Sequence, residues 1–222
     1  MKRQINVFKY FGFVYLTFAI SFLILIFFYR KGELHLMLTS THNSFMDIFF
    51  RGLTEIGGSI PIIVGLLFLF YRIGVSLYVL SAQLLNVSLT TMLKLYFGVA
   101  RPKTYFAEHF PHIVLHKIEG ITLHSSNGFP SGHTSAAFAL MFCIALIARK
   151  RIVSVFCCFF AILTGYSRIY LSQHFADDVL LGSFIGILSA LIMYLLYKKM
   201  DMRFGWFQKS ILSFFSKKNL SC

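Results

Sequence analysis

The chain has 222 residues, 57% of them apolar and only 13% charged, with a mean hydropathy of +0.73. Soluble domains run near half apolar and a quarter charged, so an ordinary water-soluble fold is excluded. The net charge of +13 gathers at the ends of apolar stretches, which reads as membrane topology and attraction to anionic headgroups; nucleic acid is not an expected partner.

Apolar stretches recur at about residues 11–29, 53–71, 74–97, 132–148, 152–171 and 178–197, close to the roughly 20 residues that a bilayer demands. They predict an all-α, polytopic membrane helical bundle of about six transmembrane helices, forming one domain over residues 1–222. The first stretch is too long for a signal-peptide core and is followed by Tyr29, Arg30 and Lys31, so it is expected to stay as an anchor. Residues 33–58 mix Glu33, His35, His42, Asn43, Asp47, Arg51 and Glu55 with apolar side chains, the pattern of an amphipathic segment at the interface. The second span is the least regular, because Gly57, Gly58, Pro61 and Gly65 all disfavour a helix in water, although membrane helices tolerate them better.

The longest polar segment, 101–130, carries His109, His112, His116 and His124. It reads as a wet loop; the helix-spaced His109, His112 and His116 are the alternative, as a metal site. Lys and Arg concentrate on the side that holds the N-terminus, including Lys217 and Lys218 near the other end. Both termini are therefore expected in the cytoplasm and residues 101–130 outside. Cys143, Cys157 and Cys158 fall inside apolar stretches, and Cys222 is not four residues from the end as prenylation requires.

Three polar clusters interrupt this pattern, all on the expected outer side. Lys94 and Arg101 lie seven residues apart, which on a continuous helix puts them on nearly one face, roughly 10 Å apart along the axis. Pro102 ends the helical bonding there. Pro130, Ser131, Gly132 and His133 precede the fourth span, where Ser131 can cap the helix and Gly132 lets backbone N–H groups approach an anion. Ser167, Arg168, His174 and Asp178 bracket the boundary of the fifth and sixth spans. A carboxylate four residues on, Asp178, can bind one imidazole nitrogen of His174 and leave the other free; Asp177 competes for that role. Three cations and two histidines around one helix mouth make an anion-seeking site.

At these residues the chain resembles the type 2 phosphatidic acid phosphatase family, which shares its core with vanadium-dependent haloperoxidases. The family's Lys, six residues, Arg-Pro is matched by Lys94, Arg101 and Pro102, its Pro-Ser-Gly-His by residues 130–133, and its Ser-Arg, five residues, His, three residues, Asp by Ser167, Arg168, His174 and Asp178. The resemblance implies that Lys94, Arg101, Arg168, Ser131 and Gly132 bind phosphate. It also implies that His174 attacks phosphorus, Asp178 orients it and His133 protonates the leaving oxygen. No metal and no other cofactor is expected, since the carboxylates are not clustered as in two-metal phosphatases.

The expected substrate is a lipid phosphate or diphosphate of a bacterial inner membrane, reached from the outer face, with no obligate protein partner. Lipid A is the leading candidate, with undecaprenyl diphosphate and phosphatidylglycerol phosphate as alternatives. Competing classes are a lipid phosphotransferase, a haloperoxidase and a non-catalytic transporter; the last would place its polar residues at the bilayer midplane.

Overall fold

The computed structural model describes residues 2–213, with side chains from Val7 onward. Lys217, Lys218 and Cys222, used above, lie outside the described residues. Nine α-helices are described: α1 (Lys2–Phe28), α2 (Lys31–Leu38), α3 (Ser44–Leu53), α4 (Ile60–Tyr71), α5 (Ile73–Phe97), α6 (Pro102–His109), α7 (Gly132–Ala148), α8 (Arg151–Tyr170) and α9 (Ala176–Arg203). Among the described residues there is no strand, and the all-helical bundle expected from the sequence is what forms.

Four of these helices, α1, α5, α8 and α9, are long and apolar enough to cross a bilayer, and α3 with α4 makes a fifth crossing if that pair, bent by 53°, is counted as one. The sixth expected span, α7, has 17 residues, which is about 26 Å of helix against a hydrocarbon core of roughly 30 Å. It compensates by position. Nearly every residue from Thr134 to Leu140 is buried, as expected of a helix enclosed by others rather than by lipid.

Glycines let the neighbours close on α7. A Cβ on Gly186 would stand 2.2 Å from the Ser135 carbonyl oxygen, and one on Gly182 would stand 2.6 Å from that of Ser131. These two residues, four apart on α9, make the small-residue contact by which membrane helices pack backbone to backbone. Polar side chains then cross-link the bundle: Gln83 donates to the Ala136 carbonyl at 3.2 Å, Tyr78 to that of Ala190 at 3.1 Å, and Ser135 to Asn86. With little water available, such groups are satisfied within the protein.

The second span departs from one regular helix. A 3-10 turn over Thr54–Gly57 separates α3 from α4, and a Cβ on Gly57 would stand 2.0 Å from the His133 carbonyl oxygen. The run of glycines thus breaks the helix and also admits the start of α7. The segment before it forms two short helices, α2 and α3, the latter capped by Asn43, whose side chain accepts the Met46 N–H at 2.9 Å. In the segment 101–130 only α6 is helical. Hydrogen bonds and ion pairs gather the linkers at one end of the bundle: Arg101 N–H donates to the Ser125 carbonyl at 3.0 Å, Gln173 to that of Thr122 at 3.0 Å, Lys31 pairs with Asp177 at 2.8 Å and His116 with Asp47 at 3.1 Å.

Candidate active site

The three polar clusters meet at that end. Helix α5 stops at Phe97 because Gly98 adopts a left-handed conformation (φ 55°), its N–H returning to the Lys94 carbonyl at 3.0 Å. Lys94 and Arg101 therefore do not share one helix, contrary to the spacing argument: Arg101 is the extended N-cap of α6. The chain turns so that Lys94 reaches α7, its Nζ 3.6 Å from where a Cβ on Gly132 would be. A Cβ at position 132 would stand in ordinary contact with this ammonium.

Ser131 caps α7, its Oγ accepting the Thr134 hydroxyl at 2.8 Å and the Thr134 N–H at 3.4 Å. Its own O–H remains available to donate. The Ser131 N–H donates to the Asp178 carbonyl at 2.9 Å, which fixes the start of α7 against the start of α9. The free N–H groups of α7 and its positive dipole end face this corner.

Helix α8 ends in a reversal. Ser172 takes φ 50°, and the N–H groups of Gln173 and His174 both return to the Arg168 carbonyl, at 3.0 and 3.1 Å. The five-residue gap between Arg168 and His174 is thus closed by one tight turn. The His174 Nδ1 stands 3.2 Å from Asp178 Oδ2, an oxygen that also accepts the Phe175 N–H at 2.9 Å. Asp177 turns away to Lys31, 2.8 Å from its Nζ. The choice that the sequence left open is resolved: Asp178, fully buried, is the partner of His174.

His174 is itself 1% exposed. Burial holds its pKa well below the ordinary imidazole value, and the charges of Arg168, Arg101 and Lys94 act the same way, opposed by a hydrogen bond to the Gly128 backbone. The imidazole is neutral at pH 7, the form with a free lone pair. His133 is only half-buried and borders a groove of about 540 Å³ that runs between α4 and α5. Lys94 and Gly132 share its polar end, while Pro61, Ile62, Leu84 and Val87 line the rest.

Two residues that no motif singled out hold the arginines. Arg168, 7% exposed, donates from Nη1 to Thr54 Oγ1 at 2.8 Å. Arg101, 8% exposed, donates from Nη1 to the side-chain and main-chain oxygens of Gln173 at 3.2 and 3.3 Å and from Nε to the Ser126 carbonyl at 2.9 Å. Gln173 is anchored in turn by donating to the Thr122 carbonyl at 3.0 Å. The metal alternative for His109, His112 and His116 loses its premise, since α6 ends at His109 and the chain beyond is irregular. His109 stacks on Tyr105 with ring centres 4.5 Å apart.

Three guanidinium or ammonium groups, two histidines, one buried carboxylate and a helix N-terminus thus gather at the end of an apolar groove, an arrangement whose charge suits an anion. A family model described as the PAP2 superfamily matches residues 74–201, which is more than half of the chain, and the chain belongs to that superfamily. With its apolar helices, it is a multi-pass membrane protein. It is similar to the lipid A 4'-phosphatase of Bacteroides thetaiotaomicron, 33% identical over 34% of this chain and 34% of that protein. It is also similar to the undecaprenyl-diphosphatase BcrC of Bacillus subtilis, 33% identical over 40% of this chain and 44% of that protein. The chain thus spans less than half the length of these two relatives. The crystal structure of Aquifex aeolicus LpxE superposes with a TM-score of 0.62 at 25% identity, over 75% of this chain and 96% of that one.

Proposed function

We propose that the chain is a lipid phosphatase of the inner membrane of a bacterium, acting at the outer face on a phosphomonoester or diphosphate of an envelope lipid. The single observation that carries this reading is the apolar groove between α4 and α5 ending at Lys94, Gly132 and His133. A phosphate held by the cations leaves an attached hydrocarbon chain in the groove, and a soluble phosphomonoester has no use for it.

In the proposed reaction Lys94, Arg101, Arg168, Ser131 and the N–H of Gly132 hold the non-bridging oxygens, where negative charge spreads in phosphoryl transfer. With Nδ1 bound to Asp178, His174 attacks phosphorus through Nε2. The phosphorus–oxygen bond to the lipid breaks as His133 gives its proton to the leaving oxygen. Water then attacks the phosphohistidine with His133 as base, releasing phosphate and restoring His174. Asp178 stabilises the positive charge that the attacking ring acquires.

Lipid A is the preferred substrate class, supported by the similarity to a lipid A 4'-phosphatase; undecaprenyl diphosphate stands next, on the similarity to BcrC. The test is mass spectrometry of membrane lipids from cells with and without the gene, and from cells carrying His174→Ala. Lipid A lacking one phosphate only where the active chain is present supports the assignment. An unchanged lipid A profile with altered undecaprenyl diphosphate transfers it to the second substrate.

A further inference from the structure

We propose that His42, Asp47 and His116 form a binding site for a transition-metal ion of the zinc class, which ties the outer segment to α3. His42 lies in the linker before α3, Asp47 in the first turn of α3, and His116 in the irregular segment after α6. One donor atom from each lies within 4.8 Å of the other two. His116 Nε2 stands 3.1 Å from Asp47 Oδ2, and His42 Nδ1 stands 3.5 Å from Asp47 Oδ1. Tetrahedral zinc with bonds of roughly 2.0–2.1 Å separates its ligand atoms by about 3.3 Å; the His116–Oδ2 pair stands close to that value, and His42 faces the other oxygen of the same carboxylate.

The donor set selects the ion. Two imidazoles and a carboxylate suit zinc, cobalt or nickel, whereas magnesium and calcium take oxygen. The surroundings resemble the outer support of a metal centre: Tyr170 donates to Asp47 Oδ1 at 2.6 Å, which fixes the carboxylate and leaves Oδ2 on the His116 side. The two imidazoles stack with ring centres 4.0 Å apart. A plain hydrogen-bond hub, with Asp47 bridging two histidines, accounts for His116 but leaves the buried His42 Nδ1 without a hydrogen-bond partner. A bound ion satisfies that nitrogen.

The ion's place is structural and stands apart from the phosphoryl chemistry proposed above. It joins the linker before α3 to the outer segment, where Arg51 already donates to the Glu119 carbonyl at 2.9 Å. Through Tyr170 it also touches the end of α8, two residues beyond Arg168.

The experiment uses the full chain in detergent, stripped with a chelator and dialysed against micromolar Zn²⁺, with Co²⁺ as the spectroscopic probe. The expected result is one zinc per chain, kept in a His109→Ala/His112→Ala variant and bound at least tenfold more weakly by His42→Ala and by His116→Ala. Co²⁺ should give the visible absorption of four- or five-coordinate nitrogen and oxygen ligation. On the unmodified chain, zinc should slow proteolysis within residues 110–125 several-fold, a readout that does not depend on a variant folding. No stoichiometric zinc uptake by the unmodified chain overturns the proposal, as does uptake unaltered in both histidine variants.

Discussion

Thr54 offers a sharp probe of the proposed phosphate site, because it supports Arg168 from a part of the chain that touches no motif. The Arg168 Nη1 to Thr54 Oγ1 bond is 2.8 Å long, and both residues are buried, at 7% and 3% exposure. Thr54→Val removes the hydroxyl with little change of shape. A hydrogen bond to a charged group is worth about 1.5–3 kcal/mol, and each 1.36 kcal/mol is tenfold in rate. If Arg168 holds the transferring phosphoryl group, loss of its support should lower kcat/KM for a lipid phosphate by roughly 10- to 100-fold. Inhibition by inorganic phosphate should weaken in the same variant, whereas a merely loosened fold would leave the inhibitor constant of the surviving protein unchanged. Thr54→Ser, which retains the donor's partner, should recover most of the loss. The reasoning fails if purified Thr54→Val keeps kcat/KM within twofold of the parent.

His35 and Gly57 give two further predictions. His35 is 2% exposed, between the Phe106 and Phe175 rings and 3.3 Å from Ser172 Oγ; burial, then His42, pushes its pKa down to about 4. Between pH 6.5 and 4 the unfolded chain therefore binds the proton that the folded one refuses, so stability falls as pH drops through that window, by up to about 3 kcal/mol. Thermal unfolding at pH 7.5 and 4.5 should show a smaller acid loss in His35→Gln, and an identical loss would remove His35 from the account. Gly57→Ala places a methyl 2.0 Å from the His133 carbonyl oxygen, whereas a Cβ on Gly52 meets nothing within 4 Å. Phosphate release should drop at least tenfold in Gly57→Ala and stay unchanged in Gly52→Ala; equal activity would show that α7 does not rest on the 3-10 turn.

The clusters around Lys94, Ser131 and His174 were legible in the sequence as polar and charged residues that interrupt the apolar stretches, and the order of those stretches put all three at one end. The local reading failed at Arg101: Pro102 drew attention as the helix breaker, yet Gly98 ends α5 earlier by taking a left-handed C′ conformation. Thr54 and Gln173 were invisible for a different reason. Thr54 meets Arg168 across 114 residues and Gln173 meets Arg101 across 72, so only the packed bundle reveals what each side chain holds. The glycines of the second span were visible as helix breakers, but their second role, admitting α7 at His133 and Val79 and Leu80 of α5 at Gly65, is a property of the assembled helices. The helix-spaced alternative for His109, His112 and His116 failed for the same reason, because His116 pairs with Asp47 at 3.1 Å, across 69 residues, rather than with His109 or His112.

The assignment of separate roles to His174 and His133 is tested most directly by single-turnover trapping of phosphoenzyme. The unmodified chain, mixed with a labelled lipid phosphate and quenched in alkali, should yield an acid-labile, alkali-stable phosphoenzyme that is absent in His174→Ala with every substrate. In His133→Ala it should form slowly from the lipid, by roughly 100- to 10,000-fold if general acid catalysis is lost, and recover in part with a nitrophenyl phosphate, whose leaving oxygen needs no proton. Phosphoenzyme persisting in His174→Ala, or rescue by the activated ester in that variant instead of His133→Ala, would contradict the account.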